Sequence, residues 1–220
     1  DIVRQCALDH LTLLRLLKSF DGERRWDFDL NGDGEKDLAG DFDGDGKPDV
    51  LIGAFNGETS SSKSNVGMVY LMSGPVTGTN SISSADVTLY GIETNGLLGR
   101  SVSFAGDLDA DNDSELALSA PYETVSLSSN VGRVYVVDGS STLSGTSAIS
   151  SEASTVIEGE SKNAKLGYSD YTNAVSGAGD VDGDGKVDLV VHRAVVEGSW
   201  LGATAELIVS RGTGTGFARP

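Results

Sequence analysis

A short loop of alternating aspartates, repeated along the chain, constrains the fold more than any other sequence feature. Its first copy begins residues 40–55, GDFDGDGKPDVLIGAF, with carboxylates at loop positions 1, 3, 5 and 9 and Gly46 at position 6. Gly at position 6 permits a sharp turn, and the carbonyl at position 7 can supply a further oxygen. Carboxylates this close repel one another unless a cation lies among them. Hard oxygen donors in this number suit Ca²⁺, so we interpret the loop as a calcium site.

The residues after the loop exclude an EF-hand. An EF-hand loop needs a bidentate Glu at position 12 and a helix on either side. Position 12 here is Ile52, within Val50-Leu51-Ile52, which has the pattern of a buried strand. The sequence therefore predicts a calcium loop that joins two strands.

The loop recurs twice. Residues 106–121 are GDLDADNDSELALSAP, with Asn112 in the Gly slot, and residues 179–191 are GDVDGDGKVDLVV, with Gly185 there. Asn is the non-Gly residue that best tolerates a left-handed backbone, so this substitution is physically mild. The first carboxylates stand at 41, 107 and 180. Such a repeat decides the fold, because each repeat is one structural unit.

A fourth, related loop precedes the first. Residues 29–37, DLNGDGEKD, follow the pattern D-x-N-x-D-G-x-x-D and begin twelve residues before Asp41. We predict a calcium site here too, with a metal-free Asx/Gly turn as the alternative. Residues 38–40 then form a short strand between two loops.

The predicted ligands are carboxylates, one Asn side chain and the carbonyls at position 7, for three to four Ca²⁺ ions. The side-chain ligands are Asp29, Asn31, Asp33, Asp37, Asp41, Asp43, Asp45, Asp49, Asp107, Asp109, Asp111, Glu115, Asp180, Asp182, Asp184 and Asp188. The carbonyl ligands are those of Glu35, Lys47, Asp113 and Lys186.

Strand patterns divide the chain into three units of about 65–70 residues, the size of a propeller blade. The blades are predicted at about 37–95, 96–163 and 164–220. We predict strands at 37–40, 49–54, 66–72, 86–91, 101–105, 115–119, 132–138, 154–158, 172–178, 187–191 and 204–210. Stretches rich in Ser, Thr and Gly, including 74–85 and 139–154, are predicted as loops between strands.

The N-terminal segment 1–22 is predicted as one amphipathic helix, because leucines recur at helical spacing over residues 4–20. Residues 23–40 then carry the extra calcium loop and the lead-in strand. The apolar stripe favours a helix docked on the propeller or on a neighbour, with oligomerisation or membrane-surface binding as alternatives.

The net charge of −17 is concentrated in the predicted loops. Fifteen of the 33 acidic side chains occupy ligand positions, and the remaining 18 nearly balance the 16 lysines and arginines. No basic patch is available to replace phosphate counterions, which argues against a nucleic-acid partner. Cys6 is the single cysteine, so no intrachain disulfide forms. The sequence has no apolar run long enough to span a membrane and does not begin with a signal-peptide pattern.

Catalytic motifs are absent from the sequence. His10 and His192 lie in unrelated segments, and no G-x-S-x-G, H-E-x-x-H or P-loop occurs. A loop that saturates a metal with protein oxygens leaves no position for a substrate. We therefore predict that the chain is not an enzyme.

The repeat resembles the FG-GAP repeat of the integrin α-subunit propeller and its bacterial relatives. The residues that carry the resemblance are the aspartate loops, the FG-like pairs Leu98-Gly99 and Leu166-Gly167, and the GAP-like Gly53-Ala54-Phe55 and Ser119-Ala120-Pro121. The third copy departs most, with His192-Arg193-Ala194 in the GAP position. The resemblance implies an all-β fold of three calcium-stabilised propeller blades, extracellular or on the cell surface, used for adhesion or recognition.

Three blades are fewer than the four to eight that close a ring. The chain is therefore predicted as part of a longer propeller, or as one completed by a neighbouring molecule. The function predicted first is a non-enzymatic calcium-binding structural or adhesion module with a protein partner. The alternatives are a self-assembling filament or sheath subunit, and a glycan-binding propeller attached to a hydrolase, in which Trp26 and Trp200 would stack on sugars.

Overall fold

A computed structural model of the chain describes residues 40–59, 63–109, 111, 113–140, 142–169, 173–179, 186–194 and 205–210. Apart from one four-residue α-helix and one 3₁₀ turn, its regular elements are β-strands. This confirms the predicted all-β class. The predicted N-terminal helix, the loop at 29–37 and most of the loop at 180–188 lie outside the described residues.

The strands follow the predicted positions closely. They are β1 Val50–Ala54, β2 Met68–Met72, β3 Val87–Tyr90, β4 Val102–Gly106, β5 Glu115–Ala120, β6 Arg133–Val137, β7 Gly145–Ala148, β8 Thr155–Glu158, β9 Val175–Gly179, β10 Asp188–Ala194 and β11 Ala205–Ser210. The α-helix, α1, is Ile149–Glu152, and the 3₁₀ turn is Ile82–Ser84. The prediction of a plain loop over 139–154 was wrong, since β7 and α1 lie within it.

The strands form three sheets that repeat the same plan. The first sheet has the order β1-β2-β3-β7, the second β4-β5-β6-β8 and the third β9-β10-β11. Neighbours are antiparallel, apart from the parallel pair β3 and β7. Strands β5, β6 and β8 of the second sheet correspond to β1, β2 and β3 of the first. These sheets match the propeller blades expected from the repeat, and the three described sheets do not close into a ring.

The second sheet lies between two hydrophobic cores. All six residues of β5 are buried. Leu116, Leu118 and Ala120 pack in the core shared with the first sheet, whereas Ala117 packs in the core shared with the third. Because successive side chains of a strand point to opposite faces, one short strand contributes to both cores.

Strand β7 links the second unit to the first. It adds in parallel to the outer edge of β3, and the Gly145 amide donates to the Asp86 carbonyl at 2.7 Å. Ile149 of α1 is fully buried in the core of the first two sheets. The sequence of β7 is polar and short, so its pairing comes from the neighbouring unit rather than from its own strand propensity.

A pair of asparagines repeats at each junction between units. Asn65 Nδ2 donates to Asn95 Oδ1 at 2.9 Å, and Asn130 Nδ2 donates to Asn163 Oδ1 at 3.1 Å. All four asparagines have positive φ. This repeated contact joins the segment before β2 or β6 to the segment before the next FG-like pair.

Gly67 allows the backbones of the first two units to approach closely at such a junction. The Leu98 amide donates to the Val66 carbonyl at 3.0 Å, and a Cβ on Gly67 would overlap the Leu98 backbone. Gly67 also has φ +84°, whereas Gly78, with φ +71°, has open space around its Cα.

We expect Gly67→Ala to destabilise the protein more than Gly78→Ala. Both substitutions carry the backbone penalty of a left-handed alanine, about 1–2 kcal/mol, but only the first adds the overlap with Leu98. Urea unfolding of both variants measures the difference in unfolding free energy. Equal losses would contradict the proposed close approach.

A buried carboxyl occupies the end of the second sheet that carries the GAP-like residues. Glu123 is fully buried, and its Oε2 accepts hydrogen bonds from Tyr135 Oη at 2.5 Å and Arg133 Nη1 at 3.1 Å. Burial raises the pKa of Glu123, and the two hydrogen bonds lower it only in part.

We expect the free energy of unfolding to fall as the pH rises and Glu123 loses its proton. The folded state holds the proton more tightly than the unfolded chain, whose carboxyl titrates near 4.5. The free energy of unfolding is therefore lost between the unfolded and folded pKa values, by about 1.4 kcal/mol for each pH unit between them. Glu123→Gln removes this loss, so the variant should gain stability relative to wild type as the pH rises. Urea unfolding from pH 4 to 8 in saturating calcium tests this, and a difference independent of pH would contradict it.

Candidate metal centre

Two of the predicted loops are described over nearly their whole length, at equivalent places in the fold. The first loop, residues 41–49, leads into β1. The second loop, residues 107–115, joins β4 to β5. The two loops therefore lead into the corresponding strands β1 and β5, as the sequence predicts.

The first loop gathers three carboxylates. One oxygen each of Asp41, Asp43 and Asp49 lies within 4.8 Å of the others. The loop curls because Asp41 accepts the amides of Asp45 at 3.1 Å and Gly46 at 2.8 Å, and Gly46 has φ +79°. Asp45, a predicted ligand, lies outside the group, and its carboxylate pairs with the ammonium group of Lys47.

The second loop gathers four carboxylates. Oxygens of Asp107, Asp109, Asp111 and Glu115 all lie within 4.8 Å of one another. Asp107 accepts the amide of Asp111 at 3.1 Å, which repeats the curl of the first loop. The longer Glu115 thus reaches the position that Asp49 holds in the first loop.

The position 9 carboxylate anchors each loop to the rest of its sheet. Asp49 accepts the Phe42 amide at 2.8 Å and the Gly74 amide at 2.7 Å, the latter two residues beyond β2. Glu115 likewise accepts the amide of Leu108 and, at 3.4 Å, that of Gly139, two residues beyond β6. Neither glycine belongs to a predicted motif, although their equal spacing after β2 and β6 is a signal.

Burial and mutual repulsion make the carboxylate groups of the loops electrostatically unfavourable in the absence of a cation. Burial raises the pKa of Glu115 to about 8, and the charges of Asp109 and Asp107 add to it. Burial also raises the pKa of Asp49 and Asp109, again with contributions from neighbouring aspartates. A divalent cation among these oxygens would offset both the desolvation and the repulsion.

The third loop is described only at its end, where it follows the same plan. Asp188, at position 9, is fully buried, as Glu115 is, while Asp49 is 7% exposed. Asp180, Asp182 and Asp184 lie outside the described residues, as do Asp29, Asn31, Asp33, Glu35 and Asp37. Their assignment as ligands stays a prediction.

The donor set fits calcium. The grouped atoms are all carboxylate oxygens, three in the first loop and four in the second. Hard oxygens on a flexible loop suit Ca²⁺, which takes six to eight ligands, better than metals that prefer nitrogen or sulfur. Backbone carbonyls at position 7, those of Lys47 and Asp113, are predicted to complete the set.

His192 does not belong to these groups. It lies in β10, where its Nδ1 contacts the Tyr168 carbonyl at 2.9 Å. That contact is structural, because it holds the FG-like turn of the same unit. His10, Cys6, Trp26 and Trp200 lie outside the described residues.

Comparison with known proteins agrees with the repeat pattern. A sequence model of the FG-GAP repeat matches residues 38–72 and 98–137. Integrin alpha-5 from Xenopus laevis is 30% identical over 191 residues, which cover 82% of this chain and 16% of the integrin. Thus the chain spans about a sixth of that relative's length.

The FG-GAP match includes both described acidic loops and the strands that follow them. The first carboxylates of the three loops, Asp41, Asp107 and Asp180, recur at intervals of 66 and 73 residues. No helix in the described residues is long and apolar enough to cross a membrane. The chain is therefore built from FG-GAP repeats of the integrin alpha-like type.

Proposed function

We propose that the chain is a calcium-binding, non-enzymatic adhesion or recognition module that works outside the cell through a protein partner. The observation that carries the proposal is the pair of matched carboxylate groups in the first and second loops. Both groups include loop positions 1, 3 and 9, the oxygens of each group lie within 4.8 Å of one another, and the two loops enter equivalent strands. The similarity to an integrin alpha chain supports adhesion and a protein partner.

Calcium would act here as a structural ion. Each loop connects to the rest of its sheet through the position 9 carboxylate, so a cation that neutralises the loop also holds the strand ends in place. A sheet stabilised in this way by the cation would also hold the GAP-like turns, which lie at its opposite end. In this proposal the ions support a binding surface rather than a reaction.

We expect calcium to raise the free energy of unfolding. At millimolar calcium each occupied loop should contribute about 1–3 kcal/mol, because the ion binds the folded state alone. Thermal unfolding in calcium and in chelator measures the shift, and magnesium should give a smaller one, since these groups do not impose octahedral geometry. An identical melting temperature in calcium and chelator would overturn calcium binding.

We expect Asp43→Asn and Asp109→Asn each to remove part of the calcium-dependent shift. Each substitution removes one charge from one loop while keeping the shape of the side chain. Glu152→Gln in α1 is the matched control, because it removes a carboxylate outside both loops and should keep the full shift. Calorimetric calcium titration then counts the sites lost.

The filament and glycan-binding hypotheses stay predictions. Light scattering of the purified chain in calcium and in chelator distinguishes a filament subunit from a monomeric module. Large particles that dissolve in chelator would favour assembly, and a mass near 22.8 kDa in both would exclude it.

A further inference from the structure

The ends of the second and third acidic loops pack against the start of the loop in the preceding unit. The Ser114 amide donates to the Asp41 carbonyl at 3.2 Å, and the Val187 amide donates to the Asp107 carbonyl at 3.2 Å. Ser114 and Val187 both occupy position 8, and Asp41 and Asp107 both occupy position 1. The same docking geometry therefore occurs at both described junctions between units.

This docking places the position 7 side chain beside the preceding loop. Asp113 Oδ1 lies against Gly44 of the first loop, so close that a Cβ on Gly44 would overlap it. Gly139 packs closely between the two loops, since a Cβ on Gly139 would lie only 2.5 Å from Asp113 Cβ and 3.1 Å from the Phe42 carbonyl oxygen. At the next junction, Lys186 Nζ donates to the Asp109 carbonyl of the second loop at 3.4 Å.

The two junctions carry opposite charges at this position. Asp113 adds a negative charge beside the three grouped carboxylates of the first loop. Lys186 adds a positive charge beside the four grouped carboxylates of the second. The loop with fewer grouped carboxylates thus has the additional acid, and the loop with more has the base.

We propose that the position 7 side chain of each loop sets the calcium affinity of the loop before it: Asp113 strengthens binding at the first loop, and Lys186 weakens binding at the second. The carbonyl of the same residue serves its own loop, so one residue acts on two neighbouring units. This inference rests on the proposed calcium binding. The physical cause is the direct Coulomb interaction of a fixed charge with a divalent cation, which weakens with salt.

Two backbone amides report on the loops separately. The Gly46 amide donates to Asp41 in the first loop, and the Asp111 amide donates to Asp107 in the second. Their NMR shifts during a titration with calcium chloride at low ionic strength give one binding midpoint for each loop. If neither shift moves in wild type, calcium binding itself fails, which is distinct from a failure of the coupling.

We expect Asp113→Asn to raise the calcium midpoint seen at Gly46 about three- to tenfold. The midpoint at Asp111 should rise as well, because the Asp113 carboxylate also interacts with Asp111 and Asp107 of its own loop. Asp113→Glu keeps the charge and should keep both midpoints, which separates charge from shape. An unchanged midpoint at Gly46, with any effect confined to Asp111, would overturn action on the preceding loop.

We expect Lys186→Gln to lower the midpoint at Asp111 by a similar factor and to leave Gly46 unchanged, with Lys186→Arg as the charge-preserving control. Both effects should shrink in 0.5 M potassium chloride, because salt screens the interaction at half-exposed side chains. Unchanged midpoints in both Asp113→Asn and Lys186→Gln would overturn the proposal. Since both variants alter surface-accessible side chains and keep the docked backbone, their folding can be checked by the same spectra.

Discussion

Repulsion among carboxylates held on tight turns is the constraint on which this structure depends. Three or four acidic oxygens lie within 4.8 Å of one another in each of two loops. The position 9 carboxylate is buried in addition, which raises the pKa of Glu115 to about 8. Such turns are costly without a cation, and they stand where the chain enters the second strand of an FG-GAP unit. The proposed metal binding and the strand order therefore depend on the same few residues.

Contacts between neighbouring units give the fold its continuity. Strand β5 contributes side chains to a core on each of its faces, so the second sheet cannot be ordered independently of its neighbours. Strand β7 and Ile149 extend the second unit over the first. The asparagine pairs and the close approach at Gly67 join the units at the end of the sheets that carries the GAP-like residues. A repeat architecture of this kind gains stability from interfaces as much as from single units.

The acidic loops form part of the same interfaces. Because positions 7 and 8 of one loop lie against positions 1 to 4 of the preceding loop, neighbouring acidic loops share an electrostatic environment. The chain has one acid and one base at the two described junctions, so repeated loops of similar sequence need not bind calcium equally. In the proposed coupling, the charge of the side chain at position 7 also affects the calcium affinity of the preceding loop.

Local patterns in the sequence predicted the strands and the grouping of most loop carboxylates. Alternation and β-branched runs placed ten described strands, and the loop offsets brought Asp41, Asp43 and Asp49 together, because both depend on residues near one another in the chain. Tertiary structure alone decided the parallel addition of β7 and the facing of Asp113 and Lys186 onto preceding loops. The local pair of Asp45 and Lys47 was also not predicted, since several acceptors compete for one flexible lysine. The reason is that polar side chains and edge strands have several partners of similar energy, and the packing of one unit against the next selects among them.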